Sequence, residues 1–499
     1  MNQVVETAVA ASPAEQEPQI FGQPRGIATL FLTEMWERFS FYGARAMLVL
    51  FMTATVARGG LGIADKTANA VYGLFLGGSY LTGIFGGWIA DRLIGAQRAV
   101  VAGGLFIMTG NAMLTSGNAK FFFLGLLVTM LGVGLLKPNV SNIVGKLYPE
   151  GGARRDAGFS IFYMGINLGS VGGSELVPLV AQHFGWHAGF ALPAAGMVFG
   201  LAQFLLTRRF LKGHGADRAP VSTRGSWLPV IVLAVIIGTL IVLAWTNSIQ
   251  VDPSAIGSSA TWALSVLALG YFGYLLLFAR LEPAERKRVF VLIALFIGSA
   301  LFWAGFEQQG ASLNLFAERY TDRHMFGGEL AAGMLQGVNP FFIIVFAPVL
   351  AAVWLGLERR NRDFSPPVKF ALGLMLMGAG FLVMYFASLH VMAGTKVLPT
   401  WLVFTYLCHS LGELCLSPVG LSSMTKLAPG RFVGQVMGLW FVSMALGGNL
   451  AGQLSGEIDA TNLESLPGLF LKVFWWGAVS GGLMLAAAPM LKRLMGAVR

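Results

Sequence analysis

The sequence predicts an all-helical protein that crosses a membrane many times, and both its composition and its hydropathy pattern indicate this. Of 499 residues, 55 % are hydrophobic and only 12 % are charged, and the mean hydropathy is +0.68. A soluble protein has about 25 % charged residues, because water must solvate its surface. No stretch alternates polar and apolar residues in the manner of a barrel strand. We therefore expect a polytopic helical bundle and exclude a soluble enzyme, a disordered chain and a disulfide-rich secreted protein.

Fourteen apolar runs are long enough to cross a bilayer, which takes about 20 residues per helix. They cover residues 26–57, 68–90, 97–116, 120–146, 157–182, 187–211, 227–247, 259–280, 289–317, 330–357, 367–393, 398–426, 431–456 and 466–491. The polar, acidic residues 1–25 lack the basic start and short apolar core of a cleavable signal, so we expect a cytoplasmic tail.

Lysine and arginine are unevenly distributed between the predicted loops. With the N-terminus in the cytoplasm, about 24 of the 34 fall on the cytoplasmic side and about 7 outside. An even number of spans brings the C-terminus back to the cytoplasm. The net charge of +10 fits loops that face anionic lipid, and no basic patch typical of nucleic-acid binding is present. The pattern predicts a multi-pass membrane protein with both termini in the cytoplasm and no nucleic-acid partner.

The first run carries an unusual set of charges, in the segment EMWERFSFYGARA at 34–46. On a helix, Glu34, Arg38 and Arg45 share one face, with Glu37 and Tyr42 beside it. A charge at the bilayer centre costs several kcal/mol, so this face must line an interior. The alternative is an ion-pair network that only holds the helix in place.

Other runs contain single charges. Lys137 precedes Pro138 in the fourth run, Glu307 lies in the ninth, Glu413 in the twelfth, and Glu175 nearer the outer end of the fifth. Any one of these could form only a structural salt bridge. Together they predict a polar cavity shared by both halves, with positive charge in the first half and carboxylates in the second.

Two short basic loops suggest an internal repeat. GGWIADRLIG (86–95) resembles the loop motif of the major facilitator superfamily, and LGLERRNRD (355–363) has a similar placement. That superfamily pairs two six-helix bundles around a central site. Two runs within 227–280 remain, and we expect them to be an inserted hairpin rather than part of a larger bundle. The predicted units are a tail at 1–25, a bundle at 26–212, a hairpin with linkers at 213–284 and a bundle at 285–499.

Several segments resemble the proton-dependent oligopeptide transporter family. EMWERFSFYG is similar to its ExxERFxYYG signature, and FYMGINLGSVGG (162–173) to its FYxxINxGS motif. FWAGFEQQGASLNLFAER, NPFFIIVFAP and GELCLSPVG also match. The sequence departs from the family at Phe41, where a tyrosine is usual, and it lacks the second-helix histidine of animal members. The resemblance implies a proton-coupled symporter that imports di- and tripeptides by alternating access in a bacterial inner membrane.

The resemblance and the chemistry of the residues together predict a peptide site. Arg38 and Lys137 suit a peptide carboxylate, which an arginine can bind through two hydrogen bonds. Glu413 suits the ammonium group, and Asn167 and Asn339 can add amide hydrogen bonds. Residues expected to line side-chain pockets, with ordinary helix packing as the alternative, are Tyr42, Tyr80, Tyr163, Trp303, Ser417 and Trp440.

Proton coupling is predicted at Glu34, Glu37, Arg38 and Glu307. Burial favours the neutral form of a carboxyl group, whereas a neighbouring arginine favours the charged form. A peptide carboxylate that competes for Arg38 would therefore free a glutamate to take up a proton. We expect Arg38 and Glu307 to be unpaired, and Arg45 to pair with Glu318 as an outer gate.

No cofactor is predicted besides the coupling proton. The sequence has no Walker motif for ATP, and the His183 and His187 pair lacks the carboxylate or cysteine that would suggest a metal. A monomer suffices for the predicted mechanism. Two alternatives stay open: a carrier of another small anion or a drug on the same scaffold, and a membrane enzyme, for which no nucleophile–base pair is found.

Overall fold

The computed structural model describes residues 19–20, 22–148, 152–216, 227–325, 327–360, 362, 364–457 and 463–496. Helices account for almost all of this part of the chain. They are α1 Gly26–Thr53, α2 Asp65–Ile89, α3 Ala96–Leu114, α4 Ala119–Lys146, α5 Gly152–Phe184, α6 Trp186–Thr207, α7 Leu228–Trp245, α8 Pro253–Leu277, α9 Pro283–Phe306, α10 Ser312–Tyr320, α11 Val338–Arg359, α12 Pro366–Met392, α13 Thr400–Leu427, α14 Val433–Ser455 and α15 Ser465–Met495. Two short antiparallel ribbons pair β1 Gln19–Ile20 with β2 Gln23–Pro24, and β3 His324–Met325 with β4 Gly328–Glu329.

The predicted all-helical, polytopic fold is confirmed. Eleven helical segments in the described ranges are long and apolar enough to cross a membrane. The segments α1, α3 and α5 are not among them, although each corresponds to a predicted run. α1 does not qualify as apolar enough because it contains four charged residues. The same four residues are the main sequence evidence for a functional site.

The long helices form two bundles. In the first, α1 packs on α5 and α6, and α3 packs on α4; in the second, α12 packs on α13 and α15. The bundles meet where α2 lies against α14 and where α5 lies against α11. We call the end of the molecule where α1 begins the near side and the end where α1 ends the far side.

The helices α7 and α8 form a hairpin outside both bundles. α8 contacts α2 and α14, and its Thr261 Oγ1 accepts a hydrogen bond of 2.7 Å from Gln453 Nε2. α7, which is described along its whole length, buries none of its side chains. Its position favours an inserted hairpin over a core helix of one larger bundle.

Small residues fix the rotation of α1 about its axis. Gly169 and Gly173 of α5 lie directly against the backbone of α1 at Met35 and Phe39, where a Cβ atom would not fit. On α1 itself, a Cβ at Gly43 would lie only 2.6 Å from Val177. This close contact turns the charged face of α1 away from α5 and toward the second bundle.

The apolar run at 289–317 is not one helix, contrary to the sequence prediction. α9 ends at Phe306, a tight helical turn covers Glu307–Gly310, and α10 begins at Ser312. The aromatic ring of Tyr72 occupies the space beside Gly310, where a Cβ would lie 2.7 Å from its Cζ. The break leaves backbone groups of Glu307 without the hydrogen bonds that a continuous helix would have provided.

Candidate functional site

A buried cluster on α1 joins one guanidinium group to two carboxylates. Arg38 Nε lies 3.2 Å from Glu34 Oε1, one helical turn away, and also forms an ion pair with Glu37. All three side chains are at most 3 % exposed. The prediction that Arg38 is unpaired is therefore wrong, because its own helix supplies two carboxylates.

This cluster leaves hydrogen-bonding capacity unused. Glu34 Oε2, Glu37 Oε1 and Arg38 Nη2 are buried without a hydrogen-bond partner in the described part of the chain. Buried polar atoms are normally satisfied, so such atoms indicate a place where a proton, a water molecule or a ligand binds. One arginine cannot neutralise two carboxylates, and a proton on either glutamate would balance the charge.

Lys137 on α4 differs from the arginines. Its Nζ lies 4.9 Å from the centre of the Tyr80 ring, and no carboxylate of the described residues lies within 4 Å of it. The neighbouring Asn139 donates hydrogen bonds of 3.2 Å to the Gly86 carbonyl and 2.7 Å to the Leu135 carbonyl, tying α4 to α2 next to the lysine. Lys137 is thus a cation in the protein interior that is available to an anionic ligand.

Glu307 has a partner from the other bundle. Its Oε2 lies 2.9 Å from Arg45 Nη2, and both side chains are at most 4 % exposed. Arg45 Nε donates a 2.8 Å hydrogen bond to the Tyr72 hydroxyl, which in turn donates to the Glu307 carbonyl at 3.1 Å. Tyr80 also reaches Glu307 Oε1, at 3.5 Å. The prediction of an unpaired Glu307 is wrong, since the break after α9 places it against α1 and α2.

The predicted pairing of Arg45 with Glu318 is also wrong. Glu318 pairs with Arg323 at 3.1 Å, inside its own bundle, and Arg323 also pairs with Glu329 at 2.9 Å. Glu318 lies three helical turns beyond Glu307, past the reach of Arg45. Its assignment to a gate was based on position along the run, which ignored the helix break.

The far side is joined by contacts that the sequence did not indicate. Arg319 Nη1 and Nη2 donate to the two carboxylate oxygens of Asp65 at 2.5 and 2.7 Å. Asn314 donates to the Ala46 carbonyl at 2.9 Å, which connects α10 to α1. Asp65 and Arg319 stand at helix ends, outside the apolar runs. The sequence offered one signal for this pair: the two residues have opposite charges and stand at ends of predicted spans on the same side of the membrane.

Glu175 does not join the central group, by which we mean the interacting charges of Arg45, Glu307 and Glu413. It is half-buried on α5, with its carboxyl group against Gly337 at the start of α11, toward the far side. Glu307 pairs with Arg45, and Glu413 lies within electrostatic reach of both, so the structure brings these two carboxylates together but not Glu175.

The second bundle contributes amide, carboxyl and aromatic groups. Asn339 on α11 donates a 2.8 Å hydrogen bond to Ser410 Oγ, and Glu413 on α13 keeps one buried oxygen without a partner in the described ranges. Trp303 and Trp440 are at most 5 % exposed and pack inside the bundle, whereas Ser417 is half-buried. Trp440 lies against Gly420, in the manner of ordinary helix packing.

Tyr42 and Tyr163 connect the two halves of the site. Tyr42 lies within electrostatic reach of Arg38 and Arg45 on its own helix and of Glu307 and Glu413 in the second bundle. Tyr163 on α5 faces Glu413 but makes no hydrogen bond to it, and it is 41 % exposed. Asn167 donates to the Tyr163 carbonyl at 2.9 Å and so serves its own helix in this structure. Thus no hydrogen bond links Tyr163 to Glu413 across the bundles, whereas the Asp65–Arg319 and Asn314–Ala46 hydrogen bonds join them on the far side.

Comparison with known proteins is decisive for the family. The model of the POT family matches residues 97–468, most of the chain. The chain belongs to the POT family. This confirms the resemblance that the sequence motifs indicated, and it places the chain among transporters.

Proteins named as peptide transporters match the chain over nearly its whole length. "Peptide transporter YePEPT" of Yersinia enterocolitica is 40 % identical over 492 residues, which is 95 % of this chain and 96 % of that protein. The "Di-/tripeptide transporter" of Lactococcus lactis subsp. cremoris is 34 % identical over 499 residues, covering 97 % and 99 %. The crystal structure of "peptide transporter POT in complex with sulfate" superposes with a TM-score of 0.90 at 40 % identity, covering 97 % of this chain and 98 % of that one.

Proposed function

We propose that this protein is a proton-coupled symporter that imports di- and tripeptides by alternating access across a bacterial inner membrane. The observation that carries the proposal is a pair of opposite charges on opposite bundles, Lys137 on α4 and Glu413 on α13, neither of which has an ion-pair partner among the described residues. A peptide zwitterion has one carboxylate and one ammonium group, and these match the two charges. The names of full-length relatives as peptide transporters support the same substrate class.

The coupling ion would be the proton, with no further cofactor. Arg38 holds two carboxylates, and Arg45 holds Glu307 across the bundles. A peptide carboxylate near Lys137 and Arg38 would weaken the hold of Arg38 on its glutamates, and a proton would then compensate the freed carboxylate. Peptide and proton would therefore bind together, and a monomer contains every group required.

The near side would face the cytoplasm. Exposed arginines follow α6, precede α9 and end α11 on this side, and basic residues are retained in cytoplasmic loops. The far-side bonds and the exposure of Tyr163 then fit a state that is open to the cytoplasm. Both chain termini would lie in the cytoplasm.

The direct experiment is uptake of a labelled dipeptide by the purified protein in liposomes. We expect accumulation above the external concentration when a proton gradient points inward, and simple equilibration when a protonophore removes the gradient. Equal accumulation in both conditions would exclude proton coupling. If the protein took up another anion or a drug but no di- or tripeptide, we would conclude that it carries that compound instead of peptides.

Lys137→Ala is expected to weaken peptide binding at least tenfold. A hydrogen bond to a charged group contributes about 1.5–3 kcal/mol, and Lys137 is the interior cation without a carboxylate partner in the described residues. The measurement is competition against a labelled dipeptide, with the free acid and the C-terminal amide of one peptide. The amide should bind poorly to the unmodified protein and be little affected by the substitution. The exposed Lys396 provides the control, Lys396→Ala, and equal competition by acid and amide would contradict the assignment.

Glu413→Gln is expected to weaken binding of peptides that have a free N-terminus, again by about tenfold. An N-acetylated peptide has no ammonium group, so its weaker binding should be unchanged by the substitution. Glu175→Gln is the matched control, because Glu175 is also half-buried but lies outside the central group. If Glu413→Gln weakened both peptides equally, the ammonium group would bind elsewhere.

A further inference from the structure

The seam between α1 and α6 contains two cavities. One, of about 230 Å³, lies at the near side and is lined by Arg25, Thr29, Gln203 and Thr207 among others. The second, of about 390 Å³, lies deeper and is bordered by α5 as well, with Trp36, Leu176 and Phe199 in its wall. Neither cavity includes a residue of the site between the bundles.

The two cavities follow one another along a single groove. On α1 the lining residues recur every three or four positions, from Arg25 to Phe39, and therefore share one face. On α6, Phe199, Gln203 and Thr207 are spaced by four. The groove extends over about 20 Å, at 1.5 Å per residue. This length corresponds to one leaflet, which is half of a hydrocarbon core of about 30 Å plus its headgroup region.

The groove changes from basic and polar to apolar with depth. Arg25 is exposed, and no carboxylate of the described residues lies within ion-pair distance of it. Arg208 and Arg209 follow α6, and Arg209 lies 5.1 Å from the ring of Phe210, which lines the near cavity. Basic pockets between membrane helices on the cytoplasmic side are typical binding sites for anionic lipid headgroups.

Deeper in the groove than the arginines, hydroxyl and amide groups of α1 and α6 are hydrogen-bonded to one another. Thr33 Oγ1 donates to Gln203 Oε1 at 3.2 Å, and Gln203 Nε2 donates to Thr207 Oγ1 at 2.8 Å. Farther in, the wall is apolar, and Leu176 and Phe199 are 49 % and 60 % exposed. From the near side inward, the groove presents charged groups, then hydroxyl and amide groups, and then an apolar wall. A phospholipid places its phosphate group, its polar ester region and its acyl chains in the same order.

We propose that the groove between α1 and α6 binds one anionic phospholipid of the near-side leaflet. Its phosphate group lies at Arg25, Arg208 and Arg209, and one acyl chain lies along Trp36 and Phe199. Trp36 points about 160° away from Arg38 around α1, so the lipid contacts the helix of the proton cluster from behind. The lipid therefore binds outside the peptide path, and the proposal is independent of the transported substrate.

The test is native mass spectrometry of the delipidated full-length protein with added phosphatidylglycerol or phosphatidylcholine. We expect one retained phosphatidylglycerol per chain, held at least tenfold more tightly than phosphatidylcholine. R25Q/R208Q/R209Q should remove this preference, whereas R359Q/R360Q, which changes two exposed arginines on another near-side helix end, should keep it. Equal retention of both lipids by the unmodified protein would overturn the proposal.

A second variant tests the apolar part of the groove. Ala195 is exposed and lines the deeper cavity, so Ala195→Phe fills it without disturbing the arginines. We expect this variant to lose at least tenfold in phosphatidylglycerol affinity, with unchanged thermal stability in detergent. Unchanged lipid affinity in Ala195→Phe would overturn the proposal. So would phosphatidylglycerol binding that occurs only after removal of residues 1–18, because the acidic tail would then be the natural occupant.

Discussion

Glu307→Gln is expected to retain peptide exchange and to lose peptide accumulation. Glutamine keeps the size and hydrogen-bonding capacity of the side chain but remains neutral, so it imitates the protonated carrier. A loaded carrier can then still alternate between its two states. The empty carrier needs the charged Glu307 to restore the 2.9 Å ion pair with Arg45. Because the mutant cannot restore it, return without peptide should fail.

The measurement compares two modes of transport in the same liposomes. Exchange of labelled for unlabelled peptide should remain comparable to that of the unmodified protein, whereas accumulation under an inward proton gradient should fall to the level reached without a gradient. Glu318→Gln is the control, because that carboxylate pairs inside its own bundle at 3.1 Å and is 39 % exposed. Normal accumulation in Glu307→Gln would assign the coupling proton to Glu34 and Glu37.

Cross-linking of positions 65 and 319 is expected to abolish transport. Asp65 and Arg319 form a two-fold hydrogen-bonded ion pair between α2 and α10, on the far side. Alternating access requires the far side to open, so this pair must separate once in every cycle. Cysteines at both positions, joined by a bifunctional thiol reagent in a background without Cys408 and Cys415, should hold the far side closed. Cleavage of a reducible linker should restore transport.

A matched pair separates the effect of closure from that of chemical modification. Glu318 and Arg323 also form a far-side ion pair, at 3.1 Å, but both belong to the second bundle. Cysteines joined at these two positions should leave transport unchanged, since the bundle moves as one body. Full transport by the completely cross-linked 65–319 protein would show that the far side opens elsewhere.

The helical spacing of charged residues in the sequence was sufficient to predict contacts within one helix. Glu34 and Arg38 are four residues apart, and the structure places their charged atoms 3.2 Å from each other. The same spacing predicted that this face of α1 lies in the interior, which its burial confirms. Composition and apolar runs gave the membrane-spanning helical fold, and several separate motifs gave the family.

Contacts between helices could not be deduced in the same way. The partner of Glu307 depends on where α9 ends, on the ring of Tyr72 that lies beside Gly310, and on the rotation of α1 fixed by its contact with α5. The pairing of Asp65 with Arg319 depends on two helix ends from different bundles. The sequence by itself determined the fold class, the family and the charged face of α1, because helical periodicity and composition are local properties. Only the tertiary structure decided which charges pair between bundles, because packing brings together residues that are hundreds of positions apart in the chain.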